Sequence, residues 1–563
     1  MAKGSVSSRS YFEPLFRFCS SESQTLWIIL IHAVGVGFLS LTLPVAVQSL
    51  VNTVAFGTVL QPVVVLTLIV FICLSASTAF KLLQTLASEM LQRRIFVRFS
   101  LLIASRLPNL GLQTRRAHNV QETVNRFFDI FLVQKALAFL LLEGVALVLQ
   151  TTLGLVLLAF YHPFLLVFGL LLFGSLAFIC LVVGRGAIQT AVDESSAKYA
   201  MAAWLEEMTR VPLSLSSKAG NTQALQRADA MASLWLDARE THFKKIFAQT
   251  FGTLVLQVVS SCVLLGFGGW LVIRKELSLG QLVAAELIVT GVLYSIAKMG
   301  KQFESFYDVV AGLNKLENIL DIPVENRQGR ELQNGDQAWR IELKNVSVSD
   351  LESQRQLKSV QLVISPGTKV LIRGASGSGK SLLAGLLFGA LQPDAGEVLV
   401  QGQDLRYIAG KEISSRGRLV QDLELIEGTI EENLLLGVEG ASLLEINQAM
   451  DAVGLTQTVA ALNAGLKTRM SSRGNPLTLS QSRRLMLARA ILSKPRLLIL
   501  DKNSDWLQSP SQGVSPEQLL QRLFKALGSC SVVVFAEPDF TAQPVISVFD
   551  ALYDLAEGGL RRA

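Results

Sequence analysis

The octapeptide Gly374-Ala375-Ser376-Gly377-Ser378-Gly379-Lys380-Ser381 gathers glycines, an ammonium group and a terminal hydroxyl into one short run. An apolar run, Val370-Leu371-Ile372, leads into it, and an amphipathic stretch beginning Leu382-Leu383-Ala384-Gly385-Leu386-Leu387 follows. The order reads strand, glycine-rich turn, helix. Glycines let successive backbone N–H groups turn inward around phosphate oxygens, and the helix N-terminus adds the positive end of its dipole. Lys380 supplies a charge for the β/γ-phosphates and Ser381 a hydroxyl for Mg²⁺. The chemistry is therefore binding of a nucleotide with Mg²⁺. A flexible Gly/Ser loop is the alternative, and the complete pattern between a strand and a helix argues against it.

The chain around this loop has 563 residues, more than one domain. Half the residues are apolar, only 17% are charged, and the mean hydropathy is +0.43. The apolar excess is concentrated in the first 300 residues. Six stretches there approach the ~20 residues that cross a bilayer, near 26–50, 62–84, 134–160, 163–184, 249–273 and 279–299. Links 51–61 and 161–162 carry no Lys or Arg, whereas residues 85–133 hold seven Arg and residues 185–246 eight basic residues. The positive-inside rule then places the N-terminus, both long loops and the C-terminal part in the cytoplasm. The net charge of +6 is spread between apolar runs, which suits membrane orientation and not nucleic acid. Residues 1–25 read as a polar cytoplasmic segment without a secretory signal. Cys19, Cys73, Cys180, Cys262 and Cys530 lack metal or redox spacing.

The long loops repeat apolar residues at helical spacing, as in Leu91, Ile95, Phe99 and Leu102, and should continue the membrane helices. Their breaks fall near Pro108 to Leu112 and Pro212 to Gly220. Pro44 and Pro163 are tolerable as a kink or a helix start. Glu143 and Glu286 fall inside spans, either as functional carboxylates or as helix-end residues at headgroup level.

Six spans with long helical loops, followed by a phosphate-loop domain, resemble a half-size ABC exporter, with the bacterial type I secretion group the nearest flavour. Leu43-Pro44 with Gln48, Gly280-Gln281-Leu282-Val283-Ala284 and Leu316-Glu317-Asn318-Ile319-Leu320-Asp321-Ile322-Pro323 carry the likeness in the membrane half. In the other half, Leu419-Val420-Gln421-Asp422 resembles the Q-loop, and Leu497-Leu498-Ile499-Leu500-Asp501 the Walker B strand. The resemblance covers essentially the whole chain, with no peptidase-like domain before the first span. It implies a multidomain membrane protein: a six-helix all-α transmembrane domain, then an α/β P-loop NTPase-type nucleotide-binding domain. Residues 1–25 would be the N-terminal segment, 26–320 the membrane domain, 321–340 a linker and 341–563 the nucleotide-binding domain. Gln421 and Asp501 would join Ser381 around Mg²⁺. A second half-transporter, the lipid bilayer, and periplasmic adaptor and outer-membrane proteins are the implied partners.

Against that family pattern, several positions depart. The general base should follow Asp501, and Lys502 stands there, unable to accept a proton while charged. The switch histidine should follow Val532-Val533-Val534-Phe535-Ala536, and Glu537 stands there. All four histidines, His32, His118, His162 and His242, precede the domain. The signature becomes Leu477-Thr478-Leu479-Ser480-Gln481, without the glycines that allow close backbone approach to a facing phosphate. Asp350 replaces the adenine-stacking aromatic, and Asp505-Trp506-Leu507-Gln508 the family's D-loop; Asp505 and Glu537 are poor substitute bases. These losses favour the non-catalytic half of a heterodimer. A non-transporting ATP-binding scaffold and a homodimeric exporter with unusual hydrolysis are the alternatives. The cargo is not legible.

Overall fold

Long apolar runs free of breakers fold into long helices, because in lipid each backbone polar group must be satisfied within its own segment. The computed structural model describes residues 12–55, 60–111, 124–322, 324, 329–330, 332, 338–350, 355–501, 515–538 and 543–563. They divide into two units, residues 1–108 with 118–322, and residues 109–117 with 323–563.

In the first unit, helix α1 (Glu13–Ser21) precedes α2 (Ser23–Ser40) and α3 (Thr42–Ala55), which together make the first apolar span. The interruption falls at Leu41, three residues before Pro44, where a proline fits a first turn at little cost. Helix α4 (Leu60–Arg106) runs 47 residues from the second span into the charged segment and ends beside Pro108. Helix α5 (Asp129–Phe139) passes through a π-helical turn, Leu140–Gly144, into α6 (Val145–Ala159). Helix α7 (Pro163–Phe178) starts with Pro163 in its first turn, where His162 Nδ1 accepts from the N–H of Phe164. Helices α8 (Ala187–Arg210) and α9 (Lys218–Ile273) form a long antiparallel pair broken by the turn at Pro212–Leu215. Ser217 caps α9. Helix α10 (Leu279–Ala297) begins with a reciprocal Ser278–Gln281 capping box and is followed by α11 (Met299–Leu320). Six helices in all are long and apolar enough to cross a membrane among the described residues. The third and fifth extend well beyond the apolar stretches, starting at Arg126 and Lys218, because amphipathic periodicity outlasts hydropathy.

The second unit is built on a six-stranded sheet of order β12-β11-β3-β10-β9-β6. Its strands are β3 (Lys369–Arg373), β6 (Gly417–Val420), β9 (Leu497–Leu500), β10 (Ser531–Ala536), β11 (Ala551–Ala556) and β12 (Gly559–Arg562). All neighbours are parallel except the β11–β12 hairpin. Parallel strands need both faces covered, and the side chains divide accordingly. Val370, Ile372, Leu497, Ile499, Val533 and Phe535 join one core, while Leu371, Leu498, Leu500, Val532 and Val534 join the other. The first core is closed by helix α12 (Lys380–Leu387) and by an antiparallel sheet of β1 (Ile341–Asp350), β2 (Arg355–Ile364), β4 (Ala395–Val400) and β5 (Gln403–Asp404). The second is closed by α13 (Leu443–Ala452), α14 (Leu479–Leu492) and α15 (Pro516–Leu527). A short pair, β7 (Gly428–Thr429) with β8 (Arg469–Met470), completes the strands among the described residues.

Candidate nucleotide-binding site

Four neighbouring parallel strands deliver the candidate residues at one edge. The glycine-rich loop leaves the carboxyl end of β3, Glu537 follows β10, Asp501 follows β9 and Gln421 follows β6. In open α/β sheets, ligands bind in the crevice at these carboxyl ends. The ladder continues past the strands and fixes the spacing: Gly374 N–H donates to Ala536 O (3.1 Å), and Asp501 N–H to Val420 O (3.0 Å).

Backbone conformation and close packing require glycine in this loop. Gly379 has φ +103°, and a Cβ there would lie 2.8 Å from Leu357 Cδ2. At Gly374 a Cβ would meet Ser378 Oγ at 2.6 Å and Leu555 O at 2.7 Å. Gly377, at φ +89°, has open space before it, and Ala375, Ser376 and Gly377 are exposed. Gly379 is the N-cap of α12, so the first helical N–H groups open beneath the loop.

Lys380 is mostly buried, with its side chain 13% exposed. Its ammonium donates to Gly374 O, to Ala375 O (3.1 Å) and to Glu537 Oε1 (3.1 Å). An ammonium has three protons, and three acceptors meet it. The Glu537 carboxylate, 53% exposed, is the charged one among them.

The residues present fit a Mg²⁺-nucleotide. Ser378 Oγ and Gln421 Nε2 are buried without a hydrogen-bond partner, each a cost of about 1–3 kcal/mol that a phosphate oxygen or metal-bound water would relieve. Asp501 is fully buried, and a carboxylate in that state calls for a cation or donors close by. Ser381 lies at the start of α12, Gln421 and Asp501 on adjacent strand ends. Lys502 and Asp505 to Gln508 lie outside the described residues, as does the side chain of Asp350.

The signature stretch opens α14. Thr478 is the N-cap, its Oγ1 accepting from Gln481 N–H (3.3 Å) while Gln481 Oε1 accepts from Thr478 N–H (2.9 Å). Leu477 is buried, Leu479 is 57% exposed and Ser480 is half-buried. A reciprocal capping box thus engages Gln481, a role that the Thr-x-x-Gln spacing could have revealed. Less visible in the sequence is the tie between this helix and the Q-loop segment. Arg489 Nη1 donates to Glu424 O (2.9 Å), and Glu424 N–H to Met486 Sδ (3.4 Å).

Both candidate span carboxylates lie on continuous helical segments. Glu143 lies in the π-helical turn and faces a cavity of about 550 Å³ shared with Phe139, Ile246, Thr250, Lys298, Lys301 and Glu304. Glu286 is on the exposed face of α10, opposite Ala284, Ala285, Ile288 and Val289.

Comparisons with known proteins bear on the fold. A family model described as ABC transporter matches residues 357–504, a stretch holding the loop, Gln421, the signature and Asp501. A structure described as a bacterial Atm1-family ABC exporter with ATP bound superposes with a TM-score of 0.83. It covers 96% of this chain and 95% of the other at 18% identity. The chain has the fold of an ABC exporter half. Among curated proteins, the fatty acid ABC transporter ATP-binding/permease protein of Mycobacterium bovis is 29% identical over 262 residues. The alpha-hemolysin translocation ATP-binding protein HlyB of Escherichia coli O157:H7 is 29% identical over 325 residues. These matches cover 46% and 54% of this exporter-like chain and 40% and 45% of the relatives' own lengths.

Proposed function

We propose that this chain is the ATP-binding, non-catalytic half of a heterodimeric ABC exporter of the bacterial inner membrane. Its N-terminus and nucleotide-binding domain face the cytoplasm, and MgATP binds at Gly374–Ser381 with Gln421 and Asp501. Ser381, Gln421 and Asp501 are the residues that would hold Mg²⁺, whose charge offsets that of the phosphates. The observation carrying this reading is the contrast within one strand edge. A complete phosphate loop stands beside Glu537 where the family has its switch histidine, with Lys502 following Asp501. Without a general base, a contribution of about 10²–10⁴-fold to turnover is lost. The modified signature, Leu477 to Gln481, would weaken the site it faces on the partner. The likeness to secretion relatives supports adaptor and outer-membrane partners; the cargo stays unassigned.

The test is MgATP binding and turnover by the chain in lipid, alone and co-expressed with a half-transporter carrying Glu, His and an intact signature. We expect binding without turnover alone, loss of binding in Lys380→Ala, and turnover only with the partner. Turnover by the chain alone, lost in Lys380→Ala, would sink the heterodimer reading. Binding with no turnover in any pairing would favour an ATP-binding scaffold.

A further inference from the structure

We propose that Glu537 is a charge-selecting residue that makes this site prefer a nucleoside diphosphate to a triphosphate; the inference rests on the nucleotide-binding reading above. The ammonium of Lys380 has all three protons engaged, two by carbonyls of its own loop and the third by Glu537 Oε1 at 3.1 Å. The loop lysine is the group that reaches the β/γ-phosphates. A γ-phosphate approaching it must share or displace the carboxylate, and like charges in that proximity disfavour each other. A diphosphate carries no third phosphate to meet Glu537, so the Lys380–Glu537 pair can persist while the loop's backbone N–H groups hold the β-phosphate.

The position of Glu537 is imposed by the fold. Gly374 N–H donates to Ala536 O, which locks the last residue of β10 against the first residue of the loop. Glu537 is the next residue, and Pro538 after it has a fixed φ that narrows the exit of the chain. The carboxylate is half exposed, so its influence is screened by salt, whereas the ammonium it neutralises is mostly buried. Elsewhere at this strand edge, Asp501 already supplies a carboxylate just after β9. A second one just after β10 therefore adds negative charge where a triphosphate would bring more.

The experiment is equilibrium binding of fluorescent ADP and ATP analogues, each with Mg²⁺, to the full chain in lipid nanodiscs. Wild type is compared with Glu537→Gln, which keeps size and an acceptor oxygen but removes the charge. We expect wild type to bind the diphosphate more tightly. In Glu537→Gln the triphosphate should tighten by roughly tenfold, the equivalent of about 1.4 kcal/mol, while the diphosphate changes by less than about threefold. High salt should narrow the wild-type preference. An unchanged diphosphate-to-triphosphate ratio in the variant, with both nucleotides bound, overturns the role of Glu537 and leaves the nucleotide site standing. Failure of wild type and variant to bind either nucleotide overturns both readings.

Discussion

Gly379 shows how narrowly a single position can be constrained. Its φ of +103° belongs to a region that side chains rarely adopt, and a Cβ would press on Leu357 at 2.8 Å. Backbone strain of this kind costs about 1–3 kcal/mol. Gly379→Ala should therefore lower the unfolding midpoint and abolish nucleotide binding, because the loop cannot hold its curve and begin α12 at once. Paired thermal unfolding and binding measurements check this; a variant that keeps both would show that the loop does not need this conformation. Lys380 is the complementary case, since its identity was legible and its partner was not. The eight-residue pattern names the lysine, and nothing local to it names Glu537, which is 157 positions away.

At the scale of elements, helix α14 is held at its start by a reciprocal side-chain arrangement. Thr478 and Gln481 each satisfy the other's backbone N–H. Removing such a cap costs about 0.5–2 kcal/mol. Thr478→Ala should destabilise the domain by that amount and speed amide exchange in the first turn of α14, while Thr478→Ser should retain protection. Equal exchange in all three proteins would show that the cap contributes nothing. The same helix carries Arg489 in its last turn, where it donates to Glu424 O and ties the segment after Gln421 to the far end of α14. Element boundaries were readable where chemistry punctuates them, as at Pro108, Pro163 and Pro212. They were not readable at Arg126, where the helix outruns the apolar stretch and only packing sustains it.

At the scale of the molecule, the first unit stores titratable groups outside its apolar spans. Lys315, on α11, is 6% exposed, lies near the hydroxyl of Ser195 and stands 4.5 Å over the Tyr199 ring. Burial holds its pKa down to about 7 from 10.5. Between those values the unfolded chain binds more protons than the folded one, so stability rises with pH. Asp308, on the same helix, is pushed up to about 6 from 3.8 by burial and by Glu304 and Glu194. There the folded chain binds more protons, so stability falls as pH rises through that window. Unfolding midpoints in lipid should climb from pH 7 toward pH 10 in wild type and climb less in Lys315→Met. Parallel profiles would refute the assignment. The sequence by itself determined the class of each half: unbroken apolar runs leave helices as the open-ended way to span a bilayer, and the glycine-rich octapeptide needs a strand before it and a helix after it. Tertiary structure alone decided that Glu537 meets Lys380 at the site. Strand order in a parallel sheet is set by packing on both faces, and that order, β3-β10-β9-β6, brings Lys380, Glu537, Asp501 and Gln421 to one edge from positions scattered over the domain.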